Sequence, residues 1–352
     1  MKLQAYRTSI LLGISFTILL STFWFLPQLA FIIFLSLLLQ LLLTPAVERL
    51  AQKIPRALSA ALVLFAFLLL LVGALYIVST AFIPTFNRFV IDFPAITSNL
   101  QASLAEESIF LGRESNTLWE EIRGIGIETL KSSLSLLLSL FSRAIDIVII
   151  LFVTFYLLKD GEKIKAYLAK LFPTSDYERV LALFNKILLA LRTYITSQLT
   201  ICLITGIIVF CYYTVRGIPY ASVFAMVSGV AEFIPVLGPT VASVLGTMMT
   251  ATVGSFIALQ TLAFYLILTQ INHNIIYPTL IGKSLNLHPV AIILGIILGG
   301  EVLGAPGMFL TVPFIVIVKL VIEDIFRESK VTSERLKNSR WLAKKHDENQ
   351  RT

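Results

Sequence analysis

Charge is scarce in this 352-residue chain. Only 14% of its residues are Asp, Glu, Lys or Arg, while 57% are hydrophobic; a soluble domain holds about a quarter charged residues and about half apolar ones. Mean hydropathy is +0.87. That balance excludes a water-soluble globular protein and points to a polytopic membrane protein. Cysteine is nearly absent. Cys202 and Cys211 lie in one apolar run, have no metal-ligand spacing, and read as packing residues rather than a disulfide within lipid. Catalytic motifs are missing too: there is no His-Glu-x-x-His, no Gly-x-Ser-x-Gly and no phosphate-binding Gly-x-x-x-x-Gly-Lys, which argues against an enzyme, a cofactor and ATP-driven transport within this chain. The net charge of +7 needs no nucleic acid to explain it, because Lys and Arg cluster in loops expected to face the cytoplasm. No small-residue cleavage site follows the first apolar run, so that run reads as a retained span.

Long apolar runs take the place of what is missing. Residues 8–25 and 29–46 form two runs parted by Pro27, a tight helical hairpin followed by a loop, 48–56, with three bases and one acid. A third span covers 58–83 and ends at Pro84, closing an N-terminal three-span region, 1–84. Residues 85–132 change character. Phe86, Phe89, Val90 and Phe93 recur at helical spacing, as do Ile96, Leu100 and Leu104, with seven acids and four bases in the segment; this predicts an amphipathic, non-cytoplasmic helical insert lying on the membrane or on a partner. A fourth span occupies 133–158, with Gly161 as its expected helix stop. Residues 159–192 hold seven bases and four acids, and Val180, Leu183, Phe184, Ile187, Leu188 and Leu191 share one face, so they read as a cytoplasmic helical elbow. A transport core, 193–326, begins with a fifth span at 193–215 and includes a full span at 256–277. The basic tail, 327–352, carries eight bases and four acids and reads as a cytoplasmic helix. The expected fold is all-α, with about eight membrane segments.

Two of those segments are broken by glycine and proline, and the rest is organised around them. The first has arms from Pro219 to Ile234 and on to Val253, with a break at 235–239; the second has arms at 290–300 and 308–325, with a break at 301–307. Such a pair is the usual sequence pointer to a transporter's binding site. Each carries one carboxylate, Glu232 and Glu301, and an acid at membrane depth is expensive enough to imply use. A carboxyl out of water favours its protonated form, which suits reversible binding of a proton or sodium; the alternative is a solvated acid, or one paired with Arg192 or Lys283. Pro235, Gly238, Pro239 and Gly300 shape the breaks and expose backbone groups to a ligand, while Gly300 itself, with Gly295, Gly299, Gly304 and Gly307, equally suits close helix packing. Gln270, Asn272, His273 and Asn274 end a span; Gln270 and Asn274, four residues apart, share a face that either lines a path for a neutral polar solute or joins helices. Arg192 reads as an interfacial anchor beside Gln198, Asp160 and Glu162 as local charge pairs, and His288 as a turn residue.

Placing both termini, the 48–56 loop and the elbow in the cytoplasm satisfies the positive-inside rule. Each broken unit must then enter and leave on one side, as a re-entrant loop or a two-span hairpin.

Four stretches carry a family resemblance: Tyr156-Leu-Leu-Lys-Asp-Gly161; Ile234-Pro-Val-Leu-Gly-Pro239; Gln270-Ile-Asn-His-Asn-Ile-Ile-Tyr-Pro278 with Leu287-His-Pro289; and Gly299-Gly-Glu-Val-Leu-Gly304 with Gly307 and Pro313. With the hydropathy layout of nearly the whole chain, they resemble the AI-2E (autoinducer-2 exporter) family of bacterial permease-like proteins. The resemblance implies a protein of the bacterial inner membrane, transport of a small molecule or ion, and homo-oligomeric assembly. It implies export of the quorum-sensing signal autoinducer-2 in some members and sodium–proton antiport in others. The expectation is therefore an exporter of a small polar metabolite coupled to a proton or sodium gradient. The other readings are a Na+/H+ antiporter and a passive oligomeric channel or scaffold.

Overall fold

The computed structural model describes residues 7–107, 124, 144–173, 176–235, 237–281 and 287–349. Among them every regular element is helical, as the sequence predicts. In chain order these are α1 (Arg7–Phe25), α2 (Pro27–Ala51), α3 (Arg56–Ile77), a π-turn (Val78–Phe82), α4 (Ile83–Glu107), α5 (Ala144–Lys170), α6 (Tyr177–Val215), α7 (Ala221–Ala231), α8 (Leu237–Ala251), α9 (Ser255–Ile271), a second π-turn (Asn272–Ile276), α10 (Tyr277–Ile281), α11 (Pro289–Leu303) and α12 (Ala305–Asn349). Five stretches among the described residues are long and apolar enough to cross a membrane: 27–51, 56–95, 177–215, 255–280 and 305–327. The chain is an all-α polytopic membrane protein.

Several punctuation marks in the sequence do not end helices. The third span does not stop at Pro84: the helix passes through it, and the π-turn at 78–82 leads directly into α4. Proline has no N–H and its ring collides with the carbonyl four residues back. Here the residue before the proline, Ile83, donates instead to the carbonyl of Val78, one residue further back than in an α-helix. The same device recurs downstream, where Tyr277 donates to Asn272 just before Pro278. Gly161 does not stop α5 either, which runs on to Lys170. A helical glycine costs only about 1 kcal/mol, and Lys163 to Asp160 (3.0 Å) and Lys165 to Glu162 (2.6 Å) bridge that turn. The second half of the elbow, from Tyr177, and the fifth span share one helix, α6.

The chain divides into two compact units. One comprises residues 1–44, 153–192 and 285–352. Its core joins Phe34, Leu38 and Leu41 of α2, Leu191 of α6, and Leu310, Ile317 and Val321 of α12. α11 and α12 pack as a hairpin whose only break is Gly304, at φ 65°. The helical arm therefore extends through Glu301 to Leu303, further than the expected break at 301–307. Backbones touch across this hairpin: a Cβ on Gly307 would lie 1.9 Å from the Gly299 carbonyl oxygen, and Thr311 Oγ1 sits 3.0 Å from the carbonyl oxygens of both Gly295 and Gly307. His288 caps α11, its Nδ1 accepting from the Val290 N–H.

The other unit comprises 45–152 and 193–284. The stripe Phe86, Phe89 and Phe93 of α4 faces inward. With Phe82 it is buried in this unit's core, against Val209 and Tyr213 of α6 and Phe224 of α7, Phe89 and Phe224 meeting edge-to-face at 5.3 Å. Aromatic burial on this scale makes the stripe core, while the opposite face, with Arg88, Ile91 and Asp92, stays exposed. Tyr220, in the left-handed region at φ 62° just before α7, donates its hydroxyl to Asp92 of α4. Residues 108–123 and 125–132 of the expected insert, with the side chains of Ile96, Leu100 and Leu104, and residues 133–143 of the fourth span lie outside the described residues.

Candidate functional site

α7 and α8 form the first broken hairpin, and its tip holds Glu232. α7 ends at Ala231, and Glu232 caps it with its N–H on the Ser228 carbonyl (3.3 Å). The break opens at Glu232, three residues earlier than the sequence reading placed it. Pro235 lies in it, half-buried, while Gly238 and Pro239 belong to the first turn of α8, where a proline costs no helical bond. Gly238 lets the second arm fold back over the first. A Cβ there would sit 1.7 Å from the Ala231 carbonyl oxygen, so no larger residue fits without moving backbone.

Glu232 is 4% exposed. Its Oε1 accepts from Asn272 Nδ2 at 2.7 Å and from Thr205 Oγ1 at 3.3 Å, and Asn272 Nδ2 also lies 3.0 Å from Thr205 Oγ1. Gln198 Nε2 donates to the Glu232 backbone carbonyl at 2.7 Å. Gln198, Thr205 and Asn272 are all buried. Two oxygens of this cluster, Gln198 Oε1 and Asn272 Oδ1, are buried without a hydrogen-bond partner. Among the described residues no basic side chain pairs with Glu232. The site is therefore one carboxylate, two donor contacts and two unused amide oxygens, enclosed among α6, the hairpin tip and the end of α9.

The other sequence candidates fall elsewhere. Gln270 and Asn274 do share a face, Asn274 Nδ2 donating to Gln270 Oε1 at 3.0 Å, but that face is exposed and borders an open groove of about 340 Å³ with Leu266, Ile267, Ile271 and Ile275. Gly300 and Glu301 belong to the other unit. Glu301 is exposed in the last turn of α11, and Gly300 faces Met308. Cys202 and Cys211 are free thiols. Sequence reasoning missed Thr205 and left Gln198 and Asn272 unassigned. A signal existed for each. Gln198 and Thr205 are seven residues apart, two turns along one face of α6. Asn272 continues the α9 series Ala258, Thr261, Tyr265 and Leu268, all buried.

Similarity to known proteins agrees with this architecture. The chain is 29% identical over 325 residues to YueF of Bacillus subtilis, which carries the name of a candidate transport protein, covering 87% of each chain. It is 27% identical over 288 residues to a similarly named protein of Mycobacterium tuberculosis, covering 80% of this chain and 78% of that one. Over 132 residues it is 29% identical to the AI-2 transport protein TqsA of Escherichia coli, covering 37% of this chain and 38% of that one. The model of the AI-2E family transporters matches residues 14–327; this chain belongs to that family and is a membrane transporter.

Proposed function

We propose that this transporter exports a small polar solute across the bacterial inner membrane, with a proton or sodium ion bound at Glu232 biasing the hairpin between states. One observation carries the reading: a buried carboxylate at the tip of a broken hairpin, with no basic partner among the described residues. Such a charge costs several kcal/mol unless something neutralises it, and a proton or a cation does so reversibly. Loading can drive a change of state only if the two states bind the ion differently, and a hairpin tip is the movable element here. The neighbouring amides and hydroxyl suit a neutral, hydroxylated solute, and the name of the Escherichia coli relative suggests autoinducer-2 as the first solute to try.

The two unpartnered amide oxygens favour a second reading, sodium–proton exchange without an organic solute, since hard oxygen ligands suit sodium.

The test is flux in proteoliposomes under imposed proton and sodium gradients, with labelled autoinducer-2 and lumenal pH followed together. Gradient-driven movement of autoinducer-2 that Glu232→Gln abolishes is the expected result. Movement of sodium and protons alone selects the exchanger. Full coupling in Glu232→Gln removes this residue from the mechanism.

A further inference from the structure

Tyr277 and Pro278 have no role in the site as described so far. On α9 the buried side chains keep α-helical spacing up to Asn272. Carried on at that spacing, the next inward positions would be 275 or 276 and then 279. Ile275 and Thr279 are instead exposed, and the half-buried positions are Ile276 and Tyr277, with Tyr277 beside Gln198 and within electrostatic reach of Glu232. The π-turn at 272–276 accounts for the change. Its extra residue sets every later side chain back by about 100° around the axis, which brings Tyr277 onto the face that Asn272 occupies.

Both ends of this turn are pinned. Asn272 is held by Glu232 and Thr205, and the Leu280 carbonyl accepts from Ser197 Oγ at 2.9 Å. The ring of Tyr277 stacks on His273, with centroids 5.4 Å apart and planes 12° apart. Pro278 follows the turn at the position Pro84 takes after the first π-turn: each proline stands six residues beyond the first residue of its turn, Asn272 and Val78. Pro45, Pro94 and Pro313 sit inside helices without such a turn. A proline therefore permits a π-turn without compelling one, and at 278 the two pinned ends supply the rest.

We infer that Tyr277 is a residue of the Glu232 site and that Pro278 positions it there by holding the π-turn, an inference that rests on the reading of Glu232 as the ion site. The hydroxyl of Tyr277 adds an O–H donor beside Gln198, whose Oε1 has no partner. The same donor serves a carbonyl or hydroxyl oxygen of a bound solute.

The test uses full-length protein in lipid nanodiscs with 3-fluorotyrosine at position 277. Its fluorine resonance should move in Glu232→Gln and again in Pro278→Ala, with Pro278→Gly as a second variant that also removes the ring. A resonance unmoved by either change overturns the inference. Transport gives an independent reading. In proteoliposomes, Tyr277→Phe keeps the ring and should raise the KM for labelled autoinducer-2 about fivefold, the scale of one lost hydrogen bond, with the maximal rate within about twofold of the parent. Unchanged KM in Tyr277→Phe, where Glu232→Gln abolishes coupling, also overturns it. If the parent protein moves no autoinducer-2, the solute reading fails and the fluorine resonance alone decides the place of Tyr277.

Discussion

Gly238 stands where backbone already fills the space a side chain would need. Its Cβ would lie 1.7 Å from the Ala231 carbonyl oxygen, and backbone cannot swing aside as a side-chain end can. Gly238→Ala should therefore lower stability by about 3 kcal/mol or more, read as a large fall in the unfolding midpoint in detergent. Gly161 offers the contrast: it is helical, with nothing within 4 Å of a built Cβ, and Gly161→Ala should raise stability by about 0.5–1 kcal/mol. Equal effects in the two variants would refute the close approach at the hairpin tip. Glu232 was legible in the sequence at this scale, because an acid in an apolar run is conspicuous. Its partners were less so. Thr205 is unremarkable within a span. Gln270 and Asn274 read correctly as one face, but spacing alone does not say which face of a membrane helix turns inward. The inward phase is carried by Tyr265, Leu268 and Asn272, and a π-turn hides its continuation.

Helices proved longer than their punctuation. Pro84 and Gly161 were read as ends because both are weak helix formers, yet local propensity yields to packing on either side. Phe82 and Phe86 bury the stretch around Pro84, and charged pairs bridge Gly161. One contact between elements was not visible in the sequence at all. Arg179, near the start of α6, donates from Nε and Nη2 to Asp324 Oδ2 of α12 at 3.0 and 2.7 Å, with a further bond to the Asp324 carbonyl. Asp324 is buried, at 8% exposure, and Arg179 nearly so. Removing Arg179 leaves the buried Asp324 only a longer contact, 3.6 Å, with the exposed Arg327, too weak to offset its burial. Arg179→Ala should cost about 3 kcal/mol, whereas Lys186→Ala, which breaks an exposed 3.5 Å pair with Glu323, should cost under about 0.5 kcal/mol. Thermal unfolding of the two variants side by side checks this. A loss in Lys186→Ala as large as that in Arg179→Ala would show that surface charge, not the buried pair, ties these helices.

At the scale of the molecule, hairpin length and basic residues together determine sidedness. α7 has 11 residues and α8 and α11 have 15 each, about 16 and 22 Å at 1.5 Å per residue. None reaches across a hydrocarbon core of about 30 Å. The α7–α8 hairpin should therefore leave by the side it entered and add nothing to the count of crossings; in the second hairpin only α11 is too short, since residues 305–327 of α12 are long enough to cross, and there the basic tail decides. If 290–325 crossed once instead, the tail with its eight bases would lie outside, against the positive-inside rule. Reporter fusions in a bacterial host distinguish these arrangements. A green fluorescent protein joined after Thr352 should fluoresce, as it does only when folded in the cytoplasm. An alkaline phosphatase at that point should be inactive, while the same enzyme placed after Gly217, between α6 and α7, should be active. A dark, phosphatase-active C-terminus would mean that α11 and α12 make one net crossing. The tip at Gly304 would then be a mid-membrane bend rather than the turning point of a hairpin.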